Sequence, residues 1–160
     1  MKIFINMIFL HWKVISVILS LLFISCTYRI TSTEEFNYYL KETFQRSIST
    51  NELYILLPLN TCSLCLKQTK SFLLEQSVNY DIHLVLLSKT NREAAQYAEH
   101  LDKKFTVLVD SKGSIYNHPE LAKNLPVLIQ YNDKKSIVMP FNINTNFEEM
   151  KQIILSFYKE

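Results

Sequence analysis

Cys62 and Cys65 are the two residues whose type and spacing best suit covalent chemistry, because two cysteines flanking Ser63 and Leu64 can pair with each other or with a partner. As a structural staple the pair is weak. Loop-closure entropy gives about 3 kcal/mol for a fifteen-residue loop but only roughly 2 kcal/mol for a loop of about four. Thiol-disulfide exchange explains the spacing better. At the start of a helix, unsatisfied N–H groups and the macrodipole favour an anion. A cysteine there is drawn below the thiol reference of about 8.5 and toward the thiolate, the nucleophilic form. Cys62 is therefore the candidate nucleophile. Cys65, one turn further along, is the candidate resolving thiol that attacks a mixed disulfide and releases the partner.

Those roles require a strand that ends just before Cys62 and a helix that begins there. Leu53-Tyr54-Ile55-Leu56-Leu57 is a short continuous apolar run, the pattern of a strand buried on both faces. From Cys62 the period changes: Cys65, Leu66, Thr69, Phe72 and Leu73 share one helical face, which predicts an amphipathic helix to about Gln76.

Around this unit the chain continues in alternation. Ser32-Thr33-Glu34-Glu35 suits a helix start, and Phe36, Tyr39, Leu40 and Phe44 form its apolar stripe before a break over Ser47 to Asn51. Ile82 to Leu87 predicts a second buried strand, and Thr90-Asn91-Arg92-Glu93 has capping-box spacing for a helix through about Leu101. Phe105 to Asp110 predicts a third strand, closed by an Asp110-Ser111-Lys112-Gly113 turn that uses the only glycine of the chain. Val127 to Tyr131 and Ser136 to Met139 predict an antiparallel hairpin with a four-residue loop, Asn132 to Lys135. A last helix is predicted from near Asn144-Thr145, with Phe147, Met150, Ile153, Ile154 and Phe157 on one face. Strands joined by helices argue for parallel neighbours, and the closing hairpin makes the sheet mixed.

At 160 residues, 48% hydrophobic and 20% charged, the chain suits a single globular domain that needs neither a metal nor a disulfide network to stay folded. Residues 1–25 are read apart from it. Lys2 and Lys13 precede an apolar stretch from Val14 to Ile24 that is short for a membrane span and ends at Ser25-Cys26, the arrangement of an export signal. Without that segment, 15 of the 17 basic side chains remain against 15 acidic ones, so residues 26–160 are formally neutral and carry no electrostatic footprint for nucleic acid. The division is a signal over 1–25, a tether over 26–31 and a folded domain over 32–160.

Two resemblances sharpen this reading. Leu22-Phe23-Ile24-Ser25-Cys26 resembles the lipobox of bacterial lipoproteins, which implies that Cys26 carries lipid and that the domain is membrane-anchored and faces the periplasm or the cell exterior. From Leu53 onward, the order of elements, Cys62-Ser63-Leu64-Cys65, the segment Phe105 to Tyr116 and Asn124-Leu125-Pro126-Val127 resemble the thioredoxin superfamily, most closely its exported TlpA-type redoxin branch. That resemblance implies a three-layer α/β/α fold with a mixed central sheet and thiol-disulfide oxidoreductase activity at Cys62 and Cys65. It also implies a cis peptide bond before Pro126, with the backbone of Leu125 placed to pair with an extended substrate segment.

The partners implied are protein thiols or disulfides and, through the lipid, a membrane. A monomer is expected, with no cofactor, no metal and no nucleic acid. The chain departs from the family in having Thr61 rather than tryptophan before the first cysteine and Ser63-Leu64 between the two. These residues tune the reduction potential, so the direction of exchange stays open. No acidic residue is assigned as a buried proton relay. Two other functions stand beside exchange: a thioredoxin-like lipoprotein that scaffolds a partner with its cysteines idle, and copper transfer using the dithiol with His118. Otherwise His118 is read as a polar loop residue, His83 as a satisfied sheet histidine and His100 as a partner of helix-terminal carbonyls.

Overall fold

The computed structural model describes residues 33–75, 81–132, 135–142 and 146–157. The signal, the tether, Cys26 and Ser32 lie outside the described residues, as do Gln76, the hairpin tip and the stretch before the last helix. The first helix, α1, covers residues 33–44. It is followed by β1 (Glu52–Pro58), α2 (Ser63–Glu75), β2 (Ile82–Leu87), α3 (Asn91–Ala98) and β3 (Thr106–Asp110). A 3-10 turn (Ser114–Asn117) and the short α4 (Pro119–Ala122) lead to β4 (Val127–Asn132), β5 (Lys135–Pro140) and α5 (Phe147–Phe157).

The five strands form one sheet in the order β3-β2-β1-β4-β5. β1 pairs with β2 in parallel from Leu53 with Ile82 to Pro58 with Leu87, and β2 pairs with β3 likewise. β4 runs antiparallel to both β1 and β5, so the sheet is mixed. Every residue of β1 and β2 is buried, as their unbroken apolar runs predict for strands covered on both faces.

Strand alternation sorts these side chains into two cores. Leu53, Ile55 and Leu57 face one layer, where they meet Phe72 and Leu73 of α2, Ala94 and Ala98 of α3, and Met150 and Ile154 of α5. Tyr54 and Leu56 face the other, against Phe36, Tyr39 and Leu40 of α1 with Ile115 and Leu121. Burial of each such leucine or isoleucine contributes roughly 1.5–3 kcal/mol. The result is a three-layer α/β/α protein with a mixed sheet, compatible with a thioredoxin-like fold.

The connections β1-α2-β2 and β2-α3-β3 step in the same direction across the sheet, and their helices share one face. Two crossovers of the same hand produce that arrangement. It also brings the carboxyl ends of β1, β2 and β3 to one edge of the sheet, where the chain turns into α2.

Several element ends differ from the sequence expectation. α3 stops at Ala98 rather than near Leu101, because Glu99 leaves the helical region with ψ of 124° and His100 after it is left-handed with φ of 70°. A left-handed residue of this kind ends many helices, most often as glycine. The hairpin ladder is longer than its apolar runs: Asn132 pairs with Lys135, which leaves two residues rather than four between the strands. Pairing there is a backbone property, and polar side chains do not stop it.

Candidate functional site

β1 delivers the chain to the cysteine pair. Beyond Pro58 the Leu59 N–H still reaches the Leu87 carbonyl at 2.9 Å, and the Thr61 N–H then turns back to the Pro58 carbonyl at 3.4 Å. The first α2 bond runs from the Leu66 N–H to the Cys62 carbonyl at 3.1 Å, so Cys62 occupies the N-cap position. α2 is held in place by buried Thr69, Phe72 and Leu73. The Tyr97 hydroxyl, which donates to the Leu66 carbonyl at 3.0 Å, ties it to α3.

The Cys62 and Cys65 thiols are free, Cys62 exposed and Cys65 partly so. The Cys62 thiol is held below its ordinary pKa, first by a hydrogen bond from the Cys65 side chain, then by the Cys65 and Leu64 amides that point at its sulfur. The Cys65 thiol is pushed up by the same hydrogen bond, by burial and by the charge that develops on Cys62. The neighbouring thiol is the larger influence on Cys62, and the helix-start amides expected from the sequence add to it. Beside Cys62, Leu64 is 56% exposed, an apolar surface unusual for its residue type.

On the other flank of β1, Leu56 pairs with Val127. Leu125 and Pro126 immediately precede Val127 and so enter β4 next to the carboxyl end of β1. The Leu125–Pro126 peptide bond is cis. The Leu125 N–H and carbonyl make no hydrogen bond among the described residues, whereas the Pro126 carbonyl accepts from the Phe141 N–H at 3.0 Å. The cysteine pair, Leu125 and Pro126 thus belong to the same edge of the sheet.

A buried acid that was given only a turn role in the sequence lies at this edge too. Asp110 accepts the Ser114 N–H at 3.0 Å, the Ile115 N–H at 2.9 Å and the Tyr39 hydroxyl at 3.2 Å. Its carboxylate therefore organises the turn after β3. Gly113 has φ of 71°, which glycine adopts without strain, and a Cβ there would stand 3.2 Å from the exposed Tyr116 ring, which would have to give slightly.

A second charged cluster occupies the far end of β1. Glu52 accepts from Arg46 at 2.6 Å, from the Ser49 N–H at 2.8 Å and from the Tyr54 hydroxyl at 2.7 Å. His83 stacks on Tyr54 with ring centroids 4.7 Å apart. Its Nε2 lies 3.2 Å from Arg46 and 3.3 Å from Glu52, while Nδ1 has no hydrogen-bond partner among the described residues. The expected satisfied sheet histidine is thus satisfied at one nitrogen. Sequence reasoning missed this cluster because nothing in the pattern marks Glu52 as buried.

The other two described histidines differ from expectation in their surroundings. His118 lies in the connection before Pro119, as expected, but it is buried, because the 3-10 turn and α4 pack it onto α1 between Tyr38, Tyr39 and Glu42. His100 is exposed, and its ring lies nearest the Glu99 carboxylate at 3.8 Å rather than capping carbonyls. No group of three or more histidine, cysteine or acidic side chains is gathered as a metal site among the described residues, and no described helix is long and apolar enough to cross a membrane.

Fold and site together define an α/β protein with a cysteine pair where its central strand meets a helix. Comparison with protein-family models, curated proteins and solved structures finds no match to the chain.

Proposed function

We propose that the chain is an extracytoplasmic thiol-disulfide oxidoreductase of the TlpA-type redoxin kind, anchored to a membrane by lipid on Cys26 and exchanging its Cys62–Cys65 dithiol with disulfides of partner proteins. The observation that carries the reading is the asymmetry of the pair: an exposed Cys62 held low beside a partly covered Cys65 held high. A nucleophile and a resolving thiol need that division. The export and anchoring parts rest on the apolar segment and on Leu22 to Cys26.

In the reducing direction, the Cys62 thiolate attacks one sulfur of the partner disulfide. A Cys62–partner bond forms, the partner S–S bond breaks, and the departing partner thiolate takes up a proton. Cys65 then loses its proton and attacks the Cys62 sulfur. The Cys62–Cys65 disulfide forms and the second partner thiolate leaves and is protonated. Two electrons have passed to the partner; of the two protons it gains, one balances that lost by Cys65 and the other comes from solvent, which took the Cys62 proton on ionisation, and an external dithiol must restore the pair. The oxidising direction is the reverse. Leu125, with its unpaired backbone, receives the partner segment by strand addition next to Pro126.

The test is the Cys65→Ala variant, which stops the sequence after the first step. The expected result is a covalent partner complex through Cys62 that reductant releases, together with insulin or glutathione exchange by the unaltered protein. No trapped complex and no exchange would reject the proposal. An ordinary thiol pKa at Cys62 with a potential below about −300 mV would favour the scaffold reading instead.

A further inference from the structure

Every influence that draws the Cys62 thiol down is a hydrogen bond: one from the Cys65 thiol and one each from the Cys65 and Leu64 amides. How strongly an amide donates depends on what its own carbonyl accepts, because hydrogen bonds joined through peptide groups polarise one another. The Leu64 amide shares its peptide group with the Ser63 carbonyl. Since α2 starts at Ser63, that carbonyl accepts the Lys67 N–H, four residues on. The Lys67 N–H in turn shares its peptide group with the Leu66 carbonyl. This carbonyl has a donor from outside the helix, the Tyr97 hydroxyl at 3.0 Å, on its second lone pair.

A continuous chain of hydrogen bonds therefore runs from α3 to the nucleophile: Tyr97 hydroxyl to Leu66 carbonyl, Lys67 N–H to Ser63 carbonyl, Leu64 N–H to Cys62 sulfur. Tyr97 is held for that task. It lies in the last turn of α3, half-buried against the core that α2 and α3 share, and Lys70 Nζ of α2 stands 5.5 Å from its ring centroid. Burial pushes its phenol above the ordinary pKa, so the hydroxyl remains a donor wherever a thiol titrates. The Cys65 amide belongs to a different peptide group and lies off the chain.

We propose that Tyr97 is a positioning residue for the cysteine pair: its hydroxyl fixes and polarises the first turn of α2, so that the Leu64 amide donates more strongly to the Cys62 sulfur. Its part in exchange rests on the exchange reading; its link to Cys62 does not. Helix ends fray, and a bond from a neighbouring helix holds this one. Each bond of such a chain strengthens the next by about 10–30%, and only one of the three donors to the sulfur is affected. The effect is small and of definite sign, since loss of the hydroxyl disfavours the thiolate.

The test is Tyr97→Phe in the full chain, which keeps the ring and removes the donor. Iodoacetamide alkylation at Cys62, located by peptide mass spectrometry, is followed against pH in about 0.15 M salt. The midpoint is expected to rise by about 0.3 pH unit, which slows alkylation about twofold below it. Lys104→Met is the comparison. It removes the 2.6 Å bond from Lys104 Nζ to the Leu74 carbonyl, loosening α2 about 12 Å further along than Leu66 and off the chain. The lost charge lies beyond the screening length of about 8 Å, so the midpoint of Lys104→Met is expected to stay. An unchanged or lowered midpoint in Tyr97→Phe, or an equal rise in Lys104→Met, would overturn the proposal. Insulin exchange by the unaltered chain is measured in parallel. Its absence rejects the exchange reading whatever the midpoints are, whereas exchange without a shift in Tyr97→Phe rejects only the role of Tyr97.

Discussion

The Tyr39 hydroxyl donates to Asp110 Oδ2 across 3.2 Å, tying α1 to the turn after β3 although the two residues are 71 positions apart. Burial, then the Asp110 charge and this hydrogen bond, push the Tyr39 phenol far above its ordinary pKa, so the hydroxyl stays a donor at every working pH. Asp110 in turn fixes Ser114 and Ile115, and with them the 3-10 turn that follows Gly113.

Tyr39→Phe removes the donor and keeps the ring. Hydrogen bonds to charged groups contribute about 1.5–3 kcal/mol, and Asp110 retains its two amide donors, so a stability loss of about 1–2 kcal/mol is expected. Urea unfolding at neutral pH measures it, with an unchanged m-value. A loss within experimental error would mean that the two amides alone satisfy Asp110.

Glu52 ties stability to pH at the opposite end of β1. Burial resists its ionisation, but the Ser49 amide, the Tyr54 hydroxyl, Arg46 and His83 outweigh that and hold its pKa at about 2, below the ordinary carboxylate value of 4.5. A depressed carboxylate stabilises the fold above its unfolded pKa, and that contribution fades as pH falls toward the folded one. The drop corresponds to roughly 3 kcal/mol at neutral pH, lost between about pH 4.5 and pH 2. Glu52→Gln is therefore expected to cost about 2–3 kcal/mol at pH 7, with the difference from the unaltered protein closing toward pH 2. Denaturant titrations across that range check both parts. A difference independent of pH would place the effect in packing rather than in charge.

Why the two buried carboxylates escaped the sequence while the strands did not is a matter of range. Leu53 to Leu57 and Ile82 to Leu87 announce themselves because burial on both faces leaves an unbroken local run. The stripe of Phe36, Tyr39 and Leu40 and the helix opened by Cys62 follow from helical periodicity, which is also local. The Asp110 partners come from α1 and from a turn of four residues, too short for any period to show. Glu52 is buried by Arg46 beyond α1 and by His83 on the neighbouring strand. His118 is buried by contacts with α1 that no pattern around Pro119 reveals. Left-handed Gln45, Asn51 and His100 carry conformations that sequence reasoning assigns to glycine, so the end of α3 was set too late. Of the candidate site, the cysteine pair at a helix start and Pro126 were legible; the buried Asp110 beside them was not.

The same locality makes the cysteine pair the place where a small substitution has an interpretable effect. The Cys65 thiol is the largest influence lowering Cys62, and the Leu64 amide and the residue-65 amide act in the same direction. Cys65→Ala removes the thiol donor and leaves both amides. The alkylation rate of Cys62, followed against pH, is expected to shift its midpoint upward in the variant while remaining below that of an unstructured cysteine. At neutral pH less thiolate is then present and alkylation is slower, while stability changes little because Cys65 is only partly covered. Ultraviolet thiolate absorbance of the variant, which has no Cys65 signal, reports the same midpoint independently. An unchanged midpoint would assign the activation of Cys62 to the amides of α2 alone, and a midpoint at the free-cysteine value would show that those amides do not reach its sulfur.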